Sequence, residues 1–327
     1  MHLAIAGSVA TDHLQLFAGR FSDSLVPDQL DKLSVSFLVE DLDIRRGGCG
    51  ANISFALAAL GHRPTLVAAV GTDFVDKGYQ EWLEQAGVDC SLVHVSPTKH
   101  MALCTITTDE AHAQIVTFYP GAMAEARRID VAAIHAERPI DVLLIGPDDP
   151  AGMQRHTATA RELGIAFAAD PSQQLAWADG ELIRDLVDGA TYLFSNDYED
   201  ALIQTKTGWS AQEVQDRVAT RIVTRGKDGV SVYPSDGPAI EVAAIAGIEA
   251  VDPTGVGDSF RAGFLAGIAA GLDLERCAQI GCTIAASVVE TTGTQEYTLD
   301  RASFLARLEG AYGAEAAAEV GGALDLA

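Results

Sequence analysis

From residue 141 onward, short apolar runs alternate with helix-period stretches. Val142–Ile145, Ala166–Ala169, Tyr192–Ser195 and Ile222–Thr224 read as strands, with helical segments between them. The runs carry no polar alternation, so both of their faces must be covered. Repeated strand–helix units of this kind fold as a parallel sheet with helices on its two sides.

The N-terminal half is less regular. Leu3–Ala6 is expected to be the first strand, ending at Gly7-Ser8. A helix from Ala51 to Leu60, a strand at Thr65–Val70 and a helix at Phe74–Ala86, closed by Gly87, should follow. Residues 9–45 look polar and irregular apart from the apolar run Val35–Val39. Ala102–Thr107 and Gln114–Phe118 alternate around the polar turn Thr108–His112 and read as a β-hairpin. Val230–Tyr233 and Ile240–Ala243 form a further β patch, before helices at Ser259–Ala270 and Leu274–Glu290. The tail from Ala311 reads as a short helix with a frayed end. No repeat or linker interrupts the chain, so residues 1–327 are expected to form one continuous domain carrying a small β element.

Acidic residues number 46 against 22 lysines and arginines, a formal charge of −24. That balance argues against nucleic acid or an anionic membrane as a partner. Any phosphate site must then be built locally, from backbone amides, a metal ion and a few basic side chains. The five cysteines (Cys49, Cys90, Cys104, Cys277, Cys282) form no Cys-x-x-Cys and do not pair evenly, which suits reduced thiols in a cytoplasmic protein. The N-terminus reads as a strand rather than a leader, and no run approaches a membrane span.

In open parallel sheets, ligands bind beyond the carboxyl ends of the strands. Ser8, Asp12, Asp170, Asn196, Glu199, Thr224 and Gly226 all follow strands in this way. Asp252-Pro253-Thr254-Gly255-Val256-Gly257-Asp258 opens a strongly helical segment. A Gly-x-Gly turn at a helix start leaves N–H groups unpaired, where the dipole also favours negative charge. Asp258 lies in the first helical turn, beside any anion bound there. An anion cradle with an adjacent carboxylate is what phosphoryl transfer needs: charge neutralisation, positioning and a base for the incoming hydroxyl. The turn is neither a Walker A loop, which needs Gly-Lys-[Ser/Thr], nor a dinucleotide fingerprint, since Phe260 replaces the third glycine.

Arg46-Gly47-Gly48-Cys49-Gly50-Ala51-Asn52 is a second glycine-rich helix start. It would place Gly48 against a substrate, with the Asn52 amide on a hydroxyl, and its paired glycines could let a lid rotate. Asn196-Asp197-Tyr198-Glu199 reads both as a helix cap and as a carboxylate able to hold a water of Mg²⁺. Thr224-Arg225-Gly226-Lys227-Asp228-Gly229 joins two strands and could flank a nucleotide.

These segments, in this order, resemble the ribokinase-like family of carbohydrate and nucleoside kinases. The resemblance implies a three-layer α/β/α domain with a mostly parallel central sheet and a β-sheet lid, here drawn from about 9–46 and 98–120. It implies transfer of the ATP γ-phosphate to a primary hydroxyl with Mg²⁺ assisting. Asp258 would be the base and the amides of Gly255, Val256 and Gly257 the anion hole. Asn196 and Glu199 would serve the metal–phosphate end, and Thr224, Gly226, Lys227 and Gly229 the nucleotide. Many members bind a monovalent cation such as K⁺, a role that would fall to Asp252 and Thr254. Within the family, the segments at 7–13, 36–39, 118–123 and 169–175 look like bacterial adenosine kinases of the actinobacterial type. That likeness points to ATP and adenosine as substrates and to a homodimer paired through the lid. Asp12 could accept from both hydroxyls of a ribose. Gln173 or Gln174 could read a purine edge, Phe118 could stack on the base, and Ser8, Ser36 and Gln114 would line the same site. Cys104 stands where an aromatic opposite Phe118 is expected. A ribokinase or other sugar kinase remains the alternative, and a nucleoside-binding regulator without turnover a further one.

Overall fold

The computed structural model describes residues 1–24 and 34–326. Its main sheet has eight strands in the order Ile240–Val242, Val230–Pro234, Thr220–Thr224, Tyr192–Asn196, Ala166–Ala169, Val142–Ile145, Leu3–Ala6, Thr65–Val67. The six strands from Thr220–Thr224 to Thr65–Val67 are parallel, and the other two add on antiparallel. Side chains alternate between two cores. Leu3, Ile5, Val142 and Leu144 face one side, against the helices Cys49–Ala59, Val256–Ala269 and Leu274–Val289. Ala4, Ala6, Leu143 and Ile145 face the other, against Pro150–Leu163, Gly180–Val187 and Asp197–Thr207. Fully burying a Leu, Ile or Phe contributes about 1.5–3 kcal/mol, so this double covering anchors the sheet. The result is a ribokinase-like α/β fold with a small separate sheet.

The chain leaves Leu3–Ala6 toward one neighbour, Thr65–Val67, and later returns to pair on its other side with Val142–Ile145. The sheet order reverses there, which opens a crevice at the carboxyl ends of these strands.

The separate sheet has four strands in the order Val39–Gly47, Ala10–Phe17, Ala102–Asp109, Gln114–Tyr119. Ala10–Phe17 runs antiparallel to the first and parallel to the third. The expectation of irregular structure across 9–45 fails at both ends of that stretch; residues 25–33 lie outside the described residues. Val39–Gly47 carries Asp41, Asp43 and Arg45 at alternate positions and is largely exposed, so it lacks the apolar signal by which strands are recognised. Pairing to its neighbour holds it extended instead.

Three smaller corrections have local causes. The strand Thr65–Val70 splits, with Ala69–Gly71 leaving the main sheet to pair with His94–Ser96. The helix Phe74–Ala86 breaks into Asp73–Asp76 and Tyr79–Ala86 at Gly78, whose φ is 73°. The tail forms two helices, Arg301–Tyr312 and Ala314–Ala323, and is not frayed, because Val320, Leu324 and Leu326 are buried in the core. Among the described residues no helix is long and apolar enough to cross a membrane, and all five cysteines are free thiols.

Candidate active site

The helix Val256–Ala269 begins at Gly255, whose φ of 74° turns the chain into it. Among the described residues, the N–H groups of Gly255 and Gly257 find no acceptor, and that of Val256 reaches only Pro253 at 3.4 Å. Asp258 is half-buried in the first turn, where Asn52 Nδ2 donates to its Oδ2 at 2.8 Å. Burial pushes the Asp258 carboxyl above its ordinary range, while Arg261 and the Asn52 amide oppose that shift.

Arg261, one turn further on, is the functional residue that the sequence reading missed. Its Nε and Nη2 grip the two oxygens of Asp170 at 2.6 Å each, and Nη2 lies 3.8 Å from Glu199. Burial works against the guanidinium charge, but the carboxylates of Asp170, Glu199 and Asp258 outweigh it and hold Arg261 protonated. Its Nη1 lies against Gly257, where an added Cβ would stand 2.8 Å from it. A glycine therefore lets a buried positive charge approach the underside of the anion turn. The clue was available: a lone arginine within an apolar helix, with two acidic residues at strand ends.

Gly48 ends the second glycine turn with φ 94°, and a Cβ there would lie 2.6 Å from the Ser8 carbonyl. Only glycine lets the helix Cys49–Ala59 start so close to the Ser8–Ala10 backbone that follows the first strand. Ser8 Oγ accepts from the Cys49 amide at 3.2 Å, so its hydroxyl serves this helix start. Asn52, expected to meet a substrate hydroxyl, is committed instead: it donates to Asp258 and accepts from Gln295 Nε2 at 2.9 Å.

Asn196 and Glu199 form a reciprocal capping box, each side chain accepting from the other's backbone at 2.8 Å. Glu199 also receives the Ser172 hydroxyl at 3.3 Å. Ser172 has φ 39°, a strained value for a side-chain-bearing residue, in the loop that follows Asp170. Among the described residues no three acidic, histidine or cysteine side chains converge as a metal cage. Mg²⁺ carried mainly by phosphates and water would need no such cage, and Glu199 would be the carboxylate to hold one of its waters. A monovalent cation at Asp252 and Thr254 does not fit. Asp252 accepts from the Thr254 amide at 2.9 Å and the Gly293 amide at 3.0 Å, and Arg45 of the lid lies 3.3 Å away. Partial burial pushes Asp252 up, yet these donors and Arg45 hold its carboxyl below the ordinary range. A guanidinium already balances the charge that a cation would meet.

A cavity of about 610 Å³ adjoins the anion turn. Asn196, Thr224, Gly226, Lys227, Gly229 and Gly257 line it, while Gly255 is not among its lining residues. Ala244–Ile248 and the helix face Cys282–Val289 complete its apolar wall. Sequence reading passed over these because small residues contribute shape rather than recognisable chemistry.

On the lid, Arg45, Asp12, Cys104 and Phe118 occupy one cross-strand row and so share one face. Gln114 lies on that face four pairs along, at the hairpin end, donating to Thr108 at 3.2 Å. Burial pushes Asp12 upward, with Arg45 opposing. Phe118 is 53% exposed. Gln174 is tied to the Asp148 carbonyl at 2.9 Å, which leaves the exposed Gln173, 3.6 Å from the Cys49 thiol, as the freer glutamine. Ser36 is exposed and, among the described residues, makes no side-chain hydrogen bond; its neighbour Phe37 packs on Phe17 and Phe21.

A parallel sheet whose strand order reverses at Leu3–Ala6, with an unpaired amide turn and a carboxylate at the crevice, defines a phosphoryl-transfer site. Residues 15–301 match the model of the pfkB family of carbohydrate kinases, and the chain belongs to that family. It is 31% identical over 289 residues to a nucleoside kinase of Methanothermobacter thermautotrophicus, covering 88% of this chain and 92% of that protein. The structure of a Burkholderia thailandensis nucleoside kinase in complex with inosine superposes with a TM-score of 0.81 at 35% identity, covering 95% and 98% of the two chains. The nucleoside kinase of Methanocaldococcus jannaschii gives a TM-score of 0.83 at 26% identity, covering 94% and 98%.

Proposed function

We propose that the chain is an ATP-dependent nucleoside kinase that phosphorylates the 5′-hydroxyl of adenosine, yielding AMP and ADP. Asp258 takes the hydroxyl proton, the freed oxygen attacks the γ-phosphorus in line, and the β–γ bridging bond breaks to release ADP. The amides of Gly255, Val256 and Gly257, backed by the Arg261 charge, bind the migrating group. Mg²⁺ arriving with the nucleotide would neutralise charge on the β- and γ-phosphates.

The shared row on the lid carries this reading. Asp12 and Phe118 stand two strand spacings apart, about 10 Å, which suits a carboxylate on the ribose diol and a ring on the base. A lone pentose would leave Phe118 unused. The row also contains Arg45, whose contact with Asp252 aims that face at the anion turn. Inosine in the Burkholderia relative supports a purine nucleoside as acceptor. One observation favours the sugar-kinase alternative: Cys104, directly opposite Phe118, cannot complete an aromatic sandwich. A panel of adenosine, inosine, guanosine, ribose and fructose, read by ADP release, separates the two. Adenosine should lead; ribose or fructose ahead of every nucleoside would refute the reading. We also propose that two lids pair through Leu42, Ile44 and Ile115, which are exposed on the opposite face. Sedimentation would then show a dimer, and Ile44→Glu a monomer.

A further inference from the structure

Behind Asp258 runs a buried chain of hydrogen bonds that the catalytic reading does not use. Trp82 Nε1 donates to Gln295 Oε1 at 3.2 Å. Gln295 Nε2 donates to Asn52 Oδ1 at 2.9 Å and to the Tyr79 hydroxyl at 2.7 Å. Asn52 Nδ2 donates to Asp258, and the Tyr79 hydroxyl donates to the Gly47 carbonyl at 2.8 Å. Gln295 is wholly buried, and Tyr79 and Asn52 nearly so.

The direction of every bond in this chain is forced. An indole N–H can only donate, so Gln295 must turn its oxygen to Trp82 and its NH₂ away. The Gly47 carbonyl can only accept, so the single Tyr79 proton is spent there and its oxygen must receive from Gln295. Two independent anchors thus fix the same orientation of one amide. Asn52 then has no choice but to accept from Gln295 and to present its own NH₂ to the carboxylate. With Oδ2 held, Oδ1 of Asp258 is left for the acceptor hydroxyl.

We propose that Gln295 is a positioning residue for the catalytic base, and that Trp82 and Tyr79 set its polarity while tying it to the Gly47-Gly48 hinge of the lid. The proposal rests on Asp258 being the base. A satisfied buried network of this kind is costly to leave half-made, so reversing one member propagates to the next. Gln295→Glu performs that reversal. A carboxylate accepts from Trp82 but cannot donate to Asn52, whose amide must rotate and turn its oxygen on Asp258. The other groups around Asp258 are unchanged by the substitution: Arg261 on its own helix, Asp170 and Glu199 across the crevice, Cys49, and the buried Tyr297.

The test is steady-state kinetics of Gln295→Glu across pH, with Asp258→Asn alongside. Turnover should fall by on the order of 10²-fold, with KM for ATP and nucleoside nearly constant. The acidic limb of the turnover profile should move up by about one pH unit. If Gln295→Glu fails to fold, the double variant Trp82→Phe with Tyr79→Phe removes both anchors while leaving Gln295 in place, and should reproduce the loss of turnover. Unchanged turnover and an unmoved limb, with Asp258→Asn inactive, would overturn the relay alone. A loss that tracks only the unfolded fraction would overturn it equally. Near-normal turnover in Asp258→Asn would instead remove the base reading itself.

Discussion

The carboxyl edge of the eight-stranded sheet and the lid differ in what surrounds their polar groups. At the sheet edge, Asn52, Gln295, Arg261 and Asp170 are withdrawn from water and each is gripped by a defined partner. On the lid, Gln114–Tyr119 is exposed along its whole length, and one ion pair, Arg45 with Asp252, reaches back to the anion turn. A misplaced group at the sheet edge has nowhere to relax, because the neighbouring dipoles are already fixed. A misplaced group on the lid can be accommodated by solvent. Changes at the edge should therefore act on turnover and folding, and changes on the lid on acceptor affinity.

The largest effect tests the edge. Asp258→Asn keeps the shape and the Asn52 contact but cannot take a proton, so turnover should drop by about 10²–10⁴-fold while both substrates still bind. Calorimetric titration together with ADP release checks both halves of that statement. Arg261→Met should cost about 3–5 kcal/mol of stability, because Asp170 and Glu199 would remain buried without their cation. Urea unfolding measures it, and a loss below about 1 kcal/mol, the level of an exposed pair, would erase the contrast between the two regions. The smallest effect belongs to the lid. Phe118→Ala should raise the nucleoside KM by about tenfold, the scale of one base–aromatic stack, without shifting turnover or the melting temperature. A matching fall in turnover would show that the lid takes part in the chemistry.

Legibility in the sequence followed the same division. The central strands were readable because Val142–Ile145 and its neighbours are apolar on both faces, a requirement written into every residue. The anion turn and the capping box were readable because their geometry is local, completed within seven residues or fewer of the chain. Ala10–Phe17 and Val39–Gly47 were not, since a half-buried or exposed strand held by its neighbours has no clear apolar period of its own. Gln295 was hidden for another reason: its partners Asn52 and Tyr79 lie 243 and 216 positions away, and no local pattern announces such a meeting. Arg261 lay between, detectable only as a charge out of place in an apolar helix.

Among the described residues, the wall of the 610 Å³ chamber is drawn entirely from residues 196–289, with none from the four-stranded roof. On the proposed reading, ATP would enter through this wall and share with the acceptor side only the anion turn at Val256 and Gly257. The two reactants should then board in either order, and a compound wedged at the adenine end should inhibit equally well with the acceptor berth full or vacant, which initial-rate kinetics checks.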